Sequence, residues 1–197
     1  MISFQLKRWH SRGYLPHFEG GEICQFLTLR LGDSLPQNVW IKWKTELEQE
    51  KDETKKIVLN QRFESYLDEG YGNCFLRDER IASQVQESLL HFDLIRYKLL
   101  AWVIMPNHVH FLIKPINNHK ISEIIKKLKT FTAHEANKIM NRQGKFWQED
   151  YFDRYIRNYE HFTKTTDYIE NNPVKARLCK NYTDWKFSSA YTGSNDS

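Results

Sequence analysis

No apolar run in the 197 residues reaches the length of a membrane span. The opening MISFQLKRWH has no apolar stretch of the signal-peptide kind. The expectation is a chain with no membrane partner. Cysteine is scarce: Cys24, Cys74 and Cys179 are three in number, far apart, and form no CxxC pair. That excludes a disulfide framework and a cysteine zinc cluster, and reads as reduced thiols in a cytoplasmic protein. Internal repeats, low-complexity segments and a dividing linker are all missing, so residues 1–197 are expected to form one domain. A strong excess of one charge is missing too. The net charge is +4, too mild by itself to announce nucleic acid.

Aromatics are plentiful at 14%, with six Trp and ten Tyr, which excludes disorder as the general state of the chain. The distribution of charge says more than its total. Residues 39–69 hold six Lys or Arg against eight Asp or Glu, whereas residues 120–145 hold seven against two. One basic face fits this asymmetry, and so does a solvated helix surface.

CQFLTLRL (residues 24–31) follows a Gly-Gly pair and is apolar and β-branched, which predicts a strand. SLPQNVWIKWKTELEQEKDETKK predicts a charged helix with Ser34 as its N-cap. Turn signals EGYG and RDE follow, and ERIASQVQESLLHFD carries one apolar helical stripe. YKLLAWVIM and HVHFLIKP read as two strands joined across MPN. ISEIIKKLKTFTAHEANKIM is an amphipathic helix, with Ile121, Ile124, Ile125, Leu128 and Phe131 on one face. KFWQEDYFDRYIR predicts a short strand and loop. A last helix starts at the N-cap Asn158 and is expected to stop at Pro173. The fold class is therefore α+β: a ferredoxin-like split βαββαβ sheet with helices on one face. A charged helical insertion (about 34–70) follows the first strand, and a C-terminal extension covers about 174–197.

Two features carry chemistry. In His108-Val109-His110 the imidazoles leave one face of a strand, with Val109, Phe111 and Ile113 on the other. Such a pair is either a set of metal ligands or two half-buried polar residues. No Cys, Asp or Glu lies close to it in sequence, which argues against a structural zinc site. In DYIENNP, Tyr168 and Asn172 are one helical turn apart. The one other tyrosine with Asn, Gln, Asp, Glu or His at i+4 is Tyr191, in a tail (YTGSNDS) that does not read as helix. An amide oxygen joined to two imidazoles makes an open N/O set that suits Mg²⁺ or Mn²⁺. Lys164 falls on the same helix face, one turn before Tyr168. From spacing alone, Tyr168 is either a packed aromatic or a nucleophile; a phenol needs an electropositive site or a polarised electrophile to attack.

AWVIMPNHVHFLIKP, then FWQEDYFDRYIRN, then DYIENNPVKARL resemble the REP-associated tyrosine transposases, which are HUH single-strand DNA transposases. LPHFEGGEICQFLTLRLGDSLP and DWKFSSA extend the resemblance over nearly the whole chain. The resemblance implies that His108 and His110 bind a divalent cation, Mg²⁺ or Mn²⁺, and that Asn172 completes the site. It implies that Tyr168 attacks single-stranded DNA, leaving a 5′-phosphotyrosine and a free 3′-OH that later rejoins. It implies hairpin-forming palindromic repeats as partners, and a cytoplasmic, nucleoid-associated protein. The chain departs from the family at Arg177, where Gly is usual, and in the acidic insertion before Asp68, to which no role attaches.

Lys126, Lys127, Lys129, Arg154, Arg157 and Lys164 are the candidate phosphate contacts, with Arg154 and Arg157 favoured by FDRYIRN. Phe152, Trp147 and Trp185 are either base-stacking platforms or core residues. Three functions compete: a metal-dependent tyrosine transposase, a non-catalytic DNA-hairpin binder, and a metal phosphodiesterase that uses water. Whether chains pair as a homodimer, and whether Tyr168 serves its own chain's site, stay open.

Overall fold

The computed structural model describes residues 8–11 and 16–193. Most of the opening MISFQLKRWH, and Asn195 of the tail, lie outside them; residues 191–193 carry no helix. Strands β1 (Arg8–Ser11) and β2 (Pro16–Glu19) form an antiparallel hairpin. It is tied to the rest where the Phe18 amide donates to Asp153 Oδ2 at 2.9 Å.

Four strands make the main sheet: β3 (Gln25–Arg30), β4 (Tyr97–Ile104), β5 (His108–Pro115) and β6 (Phe152–Tyr155). Their order is β4-β5-β3-β6 with every neighbour antiparallel, the arrangement expected of a split βαββαβ unit. Because side chains alternate along a strand, the sheet has two separate cores. Leu27, Leu29, Val109, Phe111 and Ile113 face helices α3 (Glu79–His91) and α4 (Ile121–Ile139). Those helices bury Ile81, Val85, Leu89, Ile121, Ile124, Ile125 and Leu128, each contributing about 1.5–3 kcal/mol of transfer free energy. Phe131, expected on the buried stripe, is 53% exposed, because the buried row runs on from Leu128 through Thr132 and Ala136 and leaves Phe131 to one side.

Phe26, Ala101, Val103 and Leu112 point the other way, against Ile169 of α5 (Tyr159–Lys175). The crossover helices thus share one face, and the added C-terminal helix covers the other. Asn158 caps α5 as expected, its Oδ1 accepting from the His161 amide at 2.8 Å. The helix does not stop at Pro173 but runs two residues further. Proline in the last turn forfeits one N–H without ending the helix, which closes beyond it as Leu178 N donates to Pro173 O and Arg177 N to Val174 O, at 2.9 and 3.0 Å. Arg177 closes this left-handed cap with φ 57°. Beyond it, residues 187–189 run along the outer edge of β4, with Ile104 N donating to Phe187 O and Ser189 N to Trp102 O.

The insertion is two helices, α1 (Gln37–Gln49) and α2 (Glu53–Asp68). Ser34 does not cap α1; its hydroxyl folds back onto Leu31 O, and Pro36 takes the cap position. The pair has its own small core of Leu35, Trp43, Phe63 and Leu67, with the Trp43 and Phe63 rings stacked at 4.3 Å. Arg30 at the end of β3 holds it to the sheet, and its two ends pack together. The Arg30 guanidinium lies 4.0 Å over Trp40, and Gly72 (φ 91°) packs so tightly on Asp33 that an added Cβ would sit 2.6 Å from its carbonyl oxygen. No helix among the described residues is long and apolar enough to cross a membrane.

Candidate active site

His108 and His110 leave β5 on the face that α5 covers, fully buried, with ring centroids 4.5 Å apart. Each ring is oriented through Nδ1. Asn107 donates its Nδ2 to Leu67 O and Tyr71 O, both at 3.1 Å, which fixes the amide and aims Oδ1 at His108 Nδ1, 2.7 Å away. An amide oxygen only accepts, so His108 carries its proton on Nδ1 and presents Nε2 as a lone pair. Thr28, opposite His110 across the β3–β5 ladder, holds His110 Nδ1 at 2.8 Å. Burial pushes the His108 pKa down to about 3 and His110's well below the ordinary histidine value, so both rings are neutral.

Asp68, the last residue of α2, brings Oδ1 to 3.6 Å from His108 Nε2. Donor atoms of Asp68, His108 and His110 lie within 4.8 Å of one another. Asn172 joins the group differently from the expectation, donating its Nδ2 to Asp68 Oδ1 at 3.2 Å. His108 Nε2 and Asn172 Oδ1 are both buried without a hydrogen-bond partner. Unpartnered buried acceptors beside a carboxylate and a second neutral imidazole fit a divalent cation, whose bonds would satisfy them. Burial raises the Asp68 carboxyl to about 6.

The Tyr168 hydroxyl sits 3.3 Å from His110 Nε2, its ring edge-on to Phe26 at 5.9 Å. Burial, then the charges of Glu64 and Asp68, hold the phenol well above the ordinary tyrosine value. Arg154 of β6 and a side-chain hydrogen bond with Asn172 oppose this, and Lys175 Nζ lies 4.7 Å from the centre of the ring. Glu64, one turn before Asp68 on α2, is 8% exposed and is raised to about 7, chiefly by burial.

Tyr168, His108, His110 and Asn172 therefore meet, and of the candidate cations Arg154 meets them too. The others do not. Lys164 is exposed and paired with Glu160 at 2.7 Å; the cation over Tyr168 is Lys175, two turns later on the helix. Lys129 is not a free phosphate contact, because its ammonium donates to Gln148 O and Glu149 O. Lys126 and Lys127 are exposed on α4, behind the sheet from the histidines. Arg157 is exposed just past β6, 5.9 Å from the Tyr155 ring. Trp147 is core, its indole donating to Thr132 Oγ1, and Trp185 donates to Ile104 O. Phe152 is half-buried against Phe26.

Sequence reasoning missed Asp68, Glu64, Lys175, Asn107 and Thr28. It sought acids near the histidines along the chain, whereas α2 brings them from 40 residues away. Glu64 and Asp68 did carry a signal: two carboxylates one turn apart, interleaved with Phe63 and Leu67 on a helix otherwise charged.

A family profile described as "Transposase IS200 like" matches residues 74–172. A REP-associated tyrosine transposase of Escherichia coli (strain K12) is 30% identical over 93 residues, 47% of this chain and 53% of that protein. The chain thus spans about half the length of the curated relative it matches. A solved structure of a REP-associated tyrosine transposase bound to a REP hairpin superposes with a TM-score of 0.54 at 19% identity, covering 91% of this chain and 80% of the other. The fold is shared with that structure. The matched segment contains both histidines, Tyr168 and Asn172, and leaves Glu64 and Asp68 outside it. With half of its residues matched, this chain belongs to the IS200-like transposase family, among relatives of the REP-associated tyrosine transposases.

Proposed function

We propose that this protein is a divalent-cation-dependent tyrosine transposase or endonuclease that cleaves and rejoins single-stranded DNA at hairpin ends. One observation carries the reading: the Tyr168 hydroxyl lies 3.3 Å from His110 Nε2, on the imidazole that shares a cation-sized space with His108 and Asp68. A packed core tyrosine has no reason to end at such a place.

His108, His110 and Asp68 would hold Mg²⁺ or Mn²⁺, with Asn172 orienting Asp68 and offering its own oxygen. The cation, when bound, neutralises charge on the scissile phosphate. Tyr168 supplies the attacking oxygen, becoming a 5′-phosphotyrosine as the 3′ oxygen leaves. Lys175 and Arg154 lower the cost of phenolate at that position. The described relative is bound to a hairpin, which supports hairpin DNA as the partner here. All these groups come from one chain, which supports use of Tyr168 in its own site.

The test uses labelled single-stranded hairpins with Mn²⁺ or Mg²⁺ and a denaturing gel. A covalent adduct is expected, lost in Tyr168→Phe and without cation. Cleavage that survives Tyr168→Phe would make water the nucleophile; binding without cleavage would leave a hairpin-binding protein. Mixing Tyr168→Phe with His110→Ala chains is expected to restore nothing, and restored cleavage would show exchange of tyrosines between chains.

A further inference from the structure

The insertion reaches into the site with a second carboxylate that the cation does not need. Glu64 is buried, its Oε1 has no hydrogen-bond partner, and it lies one helical turn from Asp68. A side-chain hydrogen bond with Tyr168 is among the influences on the Glu64 carboxyl, and the Glu64 charge in turn raises the phenol. A phenol must lose its proton to attack, and the groups around Tyr168 can be tried in turn. His110 Nε2 is occupied once it holds a cation. Asp68 accepts from Asn172 and shares the cation-sized space with the two histidines. Lys175 and Arg154 are cations and cannot accept. Among the described residues, Glu64 is what remains.

We propose that Glu64 is a catalytic residue, the general base that takes the Tyr168 proton as the phenol attacks. The inference rests on the tyrosine-nucleophile reading above. In the step, the Tyr168 O–H bond breaks and its proton passes to a Glu64 carboxylate oxygen. The tyrosine oxygen bonds to phosphorus, the bond from phosphorus to the 3′ oxygen breaks, and that oxygen takes a proton from water. When a 3′-OH later attacks the phosphotyrosine, its proton passes to water, the bond from phosphorus to the tyrosine oxygen breaks, and the phenolate released recovers the proton held on Glu64. Burial raises Glu64 to about 7 while Arg154 pulls it down, which suits an acceptor near neutral pH. Glu64 lies outside the family-matched residues, so the acceptor comes from the insertion and not from the shared segment.

The experiment measures the single-turnover rate of adduct formation, with Mn²⁺, on a pool of labelled hairpins with randomised single-stranded arms. Glu64→Gln is expected to slow it about 10²-fold or more while hairpin affinity stays within about threefold. Replacing Tyr168 by 3,5-difluorotyrosine, a more acidic phenol, is expected to recover at least about tenfold in Glu64→Gln and much less in the wild type. Thermal melts establish that each variant is folded; if Glu64→Gln is not, Glu64→Met keeps the volume and repeats the comparison. A rate within about threefold of wild type in the folded variant, or equal fluorotyrosine effects in both backgrounds, would overturn the assignment. No adduct from the wild type itself would instead overturn the tyrosine reading on which it rests.

Discussion

Remove the cation with EDTA, and Glu64 should make the protein less stable as pH rises. Glu64 is a carboxyl whose native value, about 7, lies above its ordinary 4.5, chiefly through burial. The native state therefore holds this proton more tightly than the unfolded chain, so the stabilisation is complete below pH 4.5 and is lost as pH rises to 7. At about 1.4 kcal/mol per unit, the loss is about 3 kcal/mol. Glu64 is 8% exposed, so solvent screening removes little of it. Glu64→Gln, isosteric and without a titrating group, has no such loss.

The total pH curve is not the measurement, because the histidines act in the opposite sense. Burial holds His108 down at about 3 and His110 well below its ordinary value, so below 6.5 the unfolded chain binds more protons and stability climbs with pH. That climb is common to both proteins and cancels in their difference. Urea unfolding with EDTA at several pH values from 4.5 to 7.5 supplies it. Wild type minus Glu64→Gln should fall by about 3 kcal/mol across the range, about 1 M in urea midpoint. Saturating Mn²⁺ should flatten the slope by giving the carboxylate cluster a counter-charge. A difference that stays constant with pH, or that rises, refutes the claim that Glu64 is buried beside Tyr168 in the cation-free protein.

Other consequences are simpler to read. Asp68→Asn keeps the shape of the ligand and removes its charge; calorimetric Mn²⁺ affinity should fall about 30-fold or more, and an unchanged affinity would remove Asp68 from the site. Asn107→Ala deletes the links to Leu67 O at the end of α2 and to Tyr71 O just past it, and the acceptor that fixes His108, so Mn²⁺ affinity should drop about 10–100-fold with both histidines intact. Arg177→Gly relieves a left-handed side-chain residue and should raise stability by about 1 kcal/mol, about 2–4 °C in melting temperature. Trp147→Ala should cost about 3–5 kcal/mol of stability yet leave hairpin affinity of the folded fraction unchanged, since the indole is core.

The sheet was legible because its signals are local. Alternation in HVHFLIKP assigns both faces of β5 without knowledge of any neighbour, and the structure puts Val109 and Phe111 in one core and the imidazoles in the other space. Likewise Asn158 announces the start of α5, since a cap needs its own first turn and nothing else. Its end was misread because proline forbids one hydrogen bond, not a helix, and the chain leaves the helix only at the left-handed Arg177. The separation of the α4 lysines from the histidines was illegible for a related reason. Exposure on a helix can be read from periodicity, but which side of the sheet that helix occupies cannot, and α4 lies behind it.

The acids were illegible for a deeper reason, and it bears on how this site is built. Residues 74–172 supply three of the sheet's four strands and carry His108, His110, Tyr168 and Asn172, yet His108 Nε2 and Asn172 Oδ1 have no hydrogen-bond partner. Glu64 and Asp68 come from a helix whose position depends on Trp40 meeting Arg30, on Gly72 meeting Asp33 and on Asn107 reaching two carbonyls. None of those contacts leaves a periodic trace in the sequence. Asn107 belongs to both halves: the same amide that anchors the end of α2 sets the tautomer of His108. Docking the insertion and preparing the first imidazole for a cation are therefore one event. A change in the α1–α2 core, far from any donor atom, should loosen both carboxylates and His108 together.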